Sequence, residues 1–136
     1  MDTLTISNLT VEFRRNRHDV PVVRDVSFSL SSGERLAIVG ESGSGKSVTS
    51  LAVTRLLPRS AQVTSGSVVF DDVDLLTLPE RKMESVRGGR IAMVFQDALS
   101  ALDPLFTIEQ QIGAVLDRHG RRADRAERRA TSAGLL

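Results

Sequence analysis

Cysteine is absent from the 136 residues, which excludes a disulfide framework and a thiolate metal site and agrees with a reducing cytosol. An excess of charge is lacking too. The 18 basic and 17 acidic side chains leave a formal +1, so no whole-molecule field favours nucleic acid or an anionic membrane surface. Long apolar runs are missing: mid-chain the longest is Ile91 to Phe95, far short of the roughly 20 residues that cross a bilayer. The polar N-terminus has no signal-peptide segment. Lysine is scarce, with only Lys46 and Lys82 against 16 arginines, and asparagine is limited to Asn8 and Asn16. What remains is ordinary for a folded domain: 40% hydrophobic and 26% charged residues. A chain of this length buries about two-thirds of its unfolded surface.

Leu4 to Phe13 reads as a strand whose apolar set shifts from even positions (Leu4, Ile6) to odd ones (Leu9, Val11, Phe13), which predicts a bulge near Ser7 and Asn8. Val22 to Leu30 alternates through Val22, Val26, Phe28 and Leu30, and Ser31-Ser32-Gly33 turns the chain, so the two segments read as an antiparallel pair. Leu36 to Val39 reads as a strand buried in a parallel sheet, and Ile91 to Phe95 as a second one ending at Gln96. Helices are expected at about Lys46 to Leu57, at Pro79 to Val86, at Thr107 to Leu116 and at Ala123 to Leu136. The first would turn Val48, Leu51, Ala52 and Leu56 inward, with Pro58 as its stop. The third would bury Ile108, Ile112, Val115 and Leu116. Ser67 to Phe70 is a further strand, ending at Asp71-Asp72.

Between the apolar run at 36–39 and the first helix lies Gly40-Glu41-Ser42-Gly43-Ser44-Gly45-Lys46-Ser47, which fits G-x-x-x-x-G-K-[ST] at every fixed position. Chance gives the pattern in roughly one unrelated chain of this length in 200. Wrapping a phosphate needs backbone N–H groups at close quarters, and glycine permits that approach. The helix that follows points its free amides and positive dipole end at the anion, and Lys46 adds a full charge able to reach β- and γ-phosphates. Ser47 is placed to hold Mg2+. A compact ammonium fits such a loop where a guanidinium fork does not, which accounts for a lysine in an arginine-rich chain.

This loop, with Leu56-Leu57-Pro58, resembles the ATP-binding subunits of ABC transporters. So does the stretch Met93-Val94-Phe95-Gln96-Asp97, Leu102-Asp103-Pro104, Thr107-Ile108 and Gln110-Gln111-Ile112, which is most similar to the oligopeptide, dipeptide and nickel importer branch. The similarity runs over nearly the whole chain, so residues 1–136 read as the N-terminal part of one ATP-binding domain. The implied fold class is α/β, a P-loop NTPase of ABC type, incomplete, with an N-terminal antiparallel β subdomain. By the resemblance, Gly40, Ser42, Gly43, Ser44, Gly45, Lys46, Ser47 and Val48 would bind ATP. Gln96, fifty residues beyond Lys46, would be the glutamine-loop residue, coordinating Mg2+ with Ser47 and positioning the attacking water. Lys46 and Gln96 are thus the expected catalytic residues. Phe13 matches the aromatic position that stacks on adenine, and equally suits a core strand.

The resemblance also implies a head-to-tail dimer with a second ATP-binding subunit, transmembrane permease subunits contacted by the segment after Gln96, and a solute-binding protein met indirectly. The chain would lie in the cytoplasm, peripheral to the inner face of the membrane. A signature loop, an apolar strand ending in Asp-Glu and a switch histidine do not follow in order. Residues 1–136 alone are therefore expected to bind ATP-Mg weakly and hydrolyse little of it. Leu30-Ser31-Ser32-Gly33-Glu34 mimics the signature but precedes the loop and reads as a turn, and Val68-Val69-Phe70-Asp71-Asp72 resembles the magnesium-binding strand but fits better the antiparallel hairpin that the family has at that point. His18 and His119 read as solvated surface histidines. A GTPase reading lacks an Asn-Lys-x-Asp motif. A nucleic-acid reading of the arginines from 118 to 129 fails because acidic residues interrupt them and no aromatic intervenes.

Overall fold

The computed structural model describes residues 2–15, 18–97 and 102–119, together with 130, 131 and 134. The helix expected at Ala123 to Leu136 lies almost wholly outside them. The chain divides into two compact units, Met1–Met83 and Glu84–Leu136.

Four antiparallel strands dominate the first unit: β1 (Asp2–Arg15), β2 (His18–Ser31), β3 (Ala61–Phe70) and β4 (Val73–Asp74), in the order β2-β1-β3-β4. Apolar residues line up across the central strand. Phe28, Ile6 and Val68 share one row, and Val23, Val11 and Val63 another. Such cross-strand pairs contribute roughly 0.2–1 kcal/mol each relative to alanine. Ile6, Leu9, Val11, Val23 and Val68 are all buried, although Ile6 and Leu9 differ in parity. The bulge expected near Ser7 and Asn8 resolves the conflict: the register shifts between Ile6 and Leu9, and Asn8 takes a φ of +51°. Its neighbours bend at the same level. Asp25 in β2 has φ +49° and Gly66 in β3 has φ +96°. A side chain at Gly66 would meet the Ser7 and Asn8 carbonyls at 2.5 and 2.6 Å, so only glycine fits there.

Helix α1 (Lys46–Val53) packs on β1 and β2 and buries Thr49, Ala52 and Val53. It is shorter than the expected Lys46 to Leu57, and Leu56 is exposed. The stop is Arg55, not Pro58. Arg55 adopts φ +54°, its N–H donates to Ala52 O, and the Leu56 N–H donates to Leu51 O, which together form a Schellman closure. The Arg55 guanidinium then holds the Leu78 carbonyl at 2.6 Å and the Leu75 carbonyl at 3.2 Å, with Glu80 at 3.5 Å.

The hairpin expected at 68–72 forms, with Phe70 paired to Val73 across Asp71 and Asp72. Both aspartates have positive φ, +46° and +64°, a type I′ geometry that favours glycine. Asp72→Gly should stabilise the protein by about 0.5–1 kcal/mol, since relief of left-handed strain outweighs the added freedom of the unfolded chain. A urea midpoint raised at unchanged slope would show it; a lowered midpoint would refute this account of the turn.

The two parallel strands do not form. Residues 36–39 make no ladder among the described residues and lie open, Val39 being 92% exposed. In the second unit the run at 91–95 is reduced to one bridge, Arg87 with Ile91, and Val94 is also 92% exposed. An interior parallel strand needs partners on both edges, and neither run belongs to a sheet among the described residues.

Helix α2 (Glu80–Val86) begins one residue later than the expected Pro79 to Val86, and it buries Met83 and Val86. Helix α3 (Ile108–Arg118) begins with a capping box: the Thr107 hydroxyl accepts from the Gln110 N–H, and the Gln110 side chain accepts from the Thr107 N–H. Ile112 and Leu116 are half-buried, but Ile108 and Val115, both expected inward, are exposed. His119 is not a plain surface side chain. It is exposed, yet its ring lies against Gly88 and Gly89, and Arg118 beside it pairs with Glu84.

Candidate functional site

Residues 40–47 wrap the N-terminus of α1. Gly45 is its N-cap in a left-handed conformation (φ +92°), and no side chain caps the helix. A Cβ there would come within 2.9 Å of the Val22 carbonyl and 3.1 Å of Val23, so β2 packs directly on the loop's last glycine. Gly43 also has positive φ (+83°), and a Cβ on Gly40 would collide with the Ser44 hydroxyl. The amides of Gly45, Lys46, Ser47 and Val48 donate to no acceptor among the described residues. Unmet donors at a helix start, with the dipole behind them, form an anion site.

Lys46 folds back into this loop. Its ammonium donates to the Gly40 carbonyl at 2.7 Å, the Glu41 carbonyl at 2.6 Å and the Ser44 hydroxyl at 3.2 Å, so all three donors are engaged. The cation therefore holds the loop's curvature as well as supplying charge. The Ser47 hydroxyl is exposed, with no partner among the described residues. Ser42 is exposed at the tip, and Val48 is half-buried on the first turn.

Beside the loop lies a hollow of about 380 Å³, within the usual range for small ligands. Its walls are Val22, Val23, Arg24, Val26 and Phe28 from β2, Ile38 and Val39, and then Gly40, Ser44, Gly45, Lys46 and Thr49. Phe13 does not line it. It is half-buried in β1, paired with Val20 and Ala61. Arg24 was not among the residues expected at the site. Its signal in the sequence is the consecutive polar pair Arg24-Asp25, which interrupts an alternating strand. A second hollow, of about 390 Å³ between the end of α1 and β3, includes Arg55, whose guanidinium is already occupied by carbonyls.

Gln96 belongs to the second unit. It is exposed in an irregular segment after the run at 91–95, and its amide has no partner among the described residues. Further on, Gln111 shapes the loop before α3: it accepts from the Asp103 N–H and donates to the Asp103 and Phe106 carbonyls. No group of three or more potential metal ligands occurs among the described residues. No described helix is long and apolar enough to cross a membrane.

Residues 23–135 match the ABC transporter family. The peptidoglycan transport ATP-binding protein YejF of Agrobacterium fabrum is 48% identical over 117 residues, covering 85% of this chain and 21% of its own length. The dipeptide transport ATP-binding protein DppD of Bacillus subtilis is 46% identical over 127 residues, 93% of this chain and 38% of its own length. The chain thus spans well under half the length of these relatives. Among solved structures, the dimeric post-hydrolysis state of the ATP-binding cassette MJ0796 bound to ADP and Pi superposes with a TM-score of 0.83 at 26% identity, covering 96% of this chain and 54% of that one. These matches take in both the loop around Lys46 and the stretch containing Gln96, and on their strength the chain belongs to the ABC transporter family.

Proposed function

We propose that the chain is the nucleotide-binding portion of an ATP-binding subunit that energises solute uptake through permease subunits, the solute being a peptide or nickel. The observation that carries the proposal is the Lys46 ammonium held inside a loop whose last glycine starts a helix with unmet amides. The dipeptide transport role of the relative DppD supports peptides as the solute. Gly40, Ser42, Gly43, Ser44, Gly45, Lys46, Ser47 and Val48 would bind the nucleotide. Phe13, outside the hollow beside the loop, is the weakest of the proposed contacts.

The donor chemistry fits the ligand. Amides and an ammonium meet phosphate oxygens, and the free Ser47 hydroxyl is a hard oxygen donor suited to Mg2+. Ser47 is the proposed metal ligand of the first unit, and the Gln96 amide oxygen that of the second. When bound, the metal would supply positive charge against the β- and γ-phosphates. The loop orients and holds the phosphates through amides and an ammonium, which are donors, and its one carboxylate, Glu41, does not line the hollow. Turnover by residues 1–136 alone is therefore expected to be slow. The proposed setting is a head-to-tail pair of such subunits on the cytoplasmic face of permeases, with a solute-binding protein acting from further off.

The test is calorimetric titration of the purified protein with ATP in the presence of magnesium, followed by competition with inorganic triphosphate. Saturable ATP binding that triphosphate displaces is the expected result. A protein that binds neither would overturn the proposal.

A further inference from the structure

Strand β2 carries a bulge at the wall of the hollow. Val23 pairs with Val11 and Val26 with Leu9, so Arg24 and Asp25 together oppose the single residue Thr10. Bulges redirect side chains, and they occur often beside binding sites. The two bulged residues go separate ways. Asp25 turns to the neighbouring strand, where its carboxylate accepts from the Asn8 amide at 2.7 Å and its N–H donates to the Thr10 hydroxyl at 3.2 Å. Arg24 lines the hollow, exposed, and makes neither an ion pair nor a hydrogen bond among the described residues.

Arg24 and Lys46 are the charged side chains of that hollow, and no carboxylate lines it. Their states differ. Lys46 has all three donors committed to the loop, whereas Arg24 has five donors unspent. Two cationic residues on the lining of one concavity, with no carboxylate among them, favour an anion as its occupant. A guanidinium is the side chain whose planar fork suits phosphate oxygens. We infer that Arg24 is a second cationic contact for the phosphate chain of the nucleotide, reaching it from the β2 wall while Lys46 and the helix amides hold it from the loop. This inference rests on the phosphate-loop reading. It adds that the bulge in β2, by diverting Asp25 to Asn8, keeps a carboxylate away from the anion.

The experiment titrates ATP and inorganic triphosphate into the purified wild type and into the R24Q, R24K and K46A variants at two salt concentrations. R24Q should weaken both ligands about fivefold and flatten the salt dependence, and R24K, which keeps charge without the fork, should lose about twofold. Arg24 is exposed, so an unchanged melting midpoint is expected to confirm that R24Q is folded. If R24Q binds both ligands like the wild type while K46A is impaired, the role of Arg24 is wrong and the phosphate-loop reading stands. If R24Q weakens ATP but not triphosphate, the contact is with the nucleoside and the inference fails. If the wild type binds neither ligand, the phosphate-loop reading falls and this inference with it.

Discussion

Lys46→Ala should weaken ATP binding about 10- to 100-fold, the loss expected when a charge-assisted contact of roughly 1.5–3 kcal/mol is removed. The geometry sharpens the expectation, because the ammonium is also the brace that gathers Gly40, Glu41 and Ser44 around one point. Without it two carbonyls lose their donor and the loop is free to open. Stability should change little. Lys46 is the first residue of α1, where a positive charge opposes the dipole by about 0.3–1 kcal/mol, and that relief offsets the exposed hydrogen bonds lost. The signature is a large rise in Kd with a nearly constant melting midpoint. Lys46→Arg should not restore binding, since the fork overfills the space between these acceptors. Equal affinities for wild type and Lys46→Ala would refute the role assigned to the loop.

The second large effect is expected at Arg55, where backbone and side chain pull in opposite directions. Its φ of +54° costs a non-glycine residue about 1–2 kcal/mol. The guanidinium offsets this with hydrogen bonds to the Leu78 and Leu75 carbonyls from a position only 27% exposed. The Glu80 contact adds little, because that carboxylate is 57% exposed. Arg55→Ala keeps the strain and loses the bonds, so it should destabilise by about 2–3 kcal/mol. Arg55→Gly loses the same bonds but relieves the strain, and should fall about 1 kcal/mol short of that loss. Urea unfolding of the two variants measures the difference directly. Identical values for alanine and glycine would mean that the closure of α1 is not strained.

Local chemistry made much of this molecule legible. The parity change between Ile6 and Leu9 marked the bulge, and the family resemblance pointed to the hairpin at 68–72. The glycine and lysine spacing of 40–47 marks the candidate site, because a loop able to wrap an anion is specified within eight residues. The failures are nonlocal. Leu36, Ile38 and Val39 have the composition of a buried strand, but a strand exists only when paired with another, and no described strand is hydrogen-bonded to them. The end of α1 was misplaced for a related reason. Pro58 is an obvious stop, whereas an arginine in left-handed conformation is held there by carbonyls twenty or more residues away. Arg24 is hard to read as a site residue from the sequence, because its position depends on a bulge set by the pairing of Val23 with Val11 and of Val26 with Leu9, residues twelve and seventeen positions apart.

The three left-handed residues Asp25, Asn8 and Gly66 stand side by side on adjacent strands, and together they score a crease across the sheet. On either side of that line the odd–even identity of inward positions is reversed, so the protein tolerates a change of letter there far better than a change of count. Loss of one residue from a single strand would turn the apolar face of that strand inside out beyond the crease. The three kinks are in this sense one heritable unit, able to drift in composition but obliged to keep step in length.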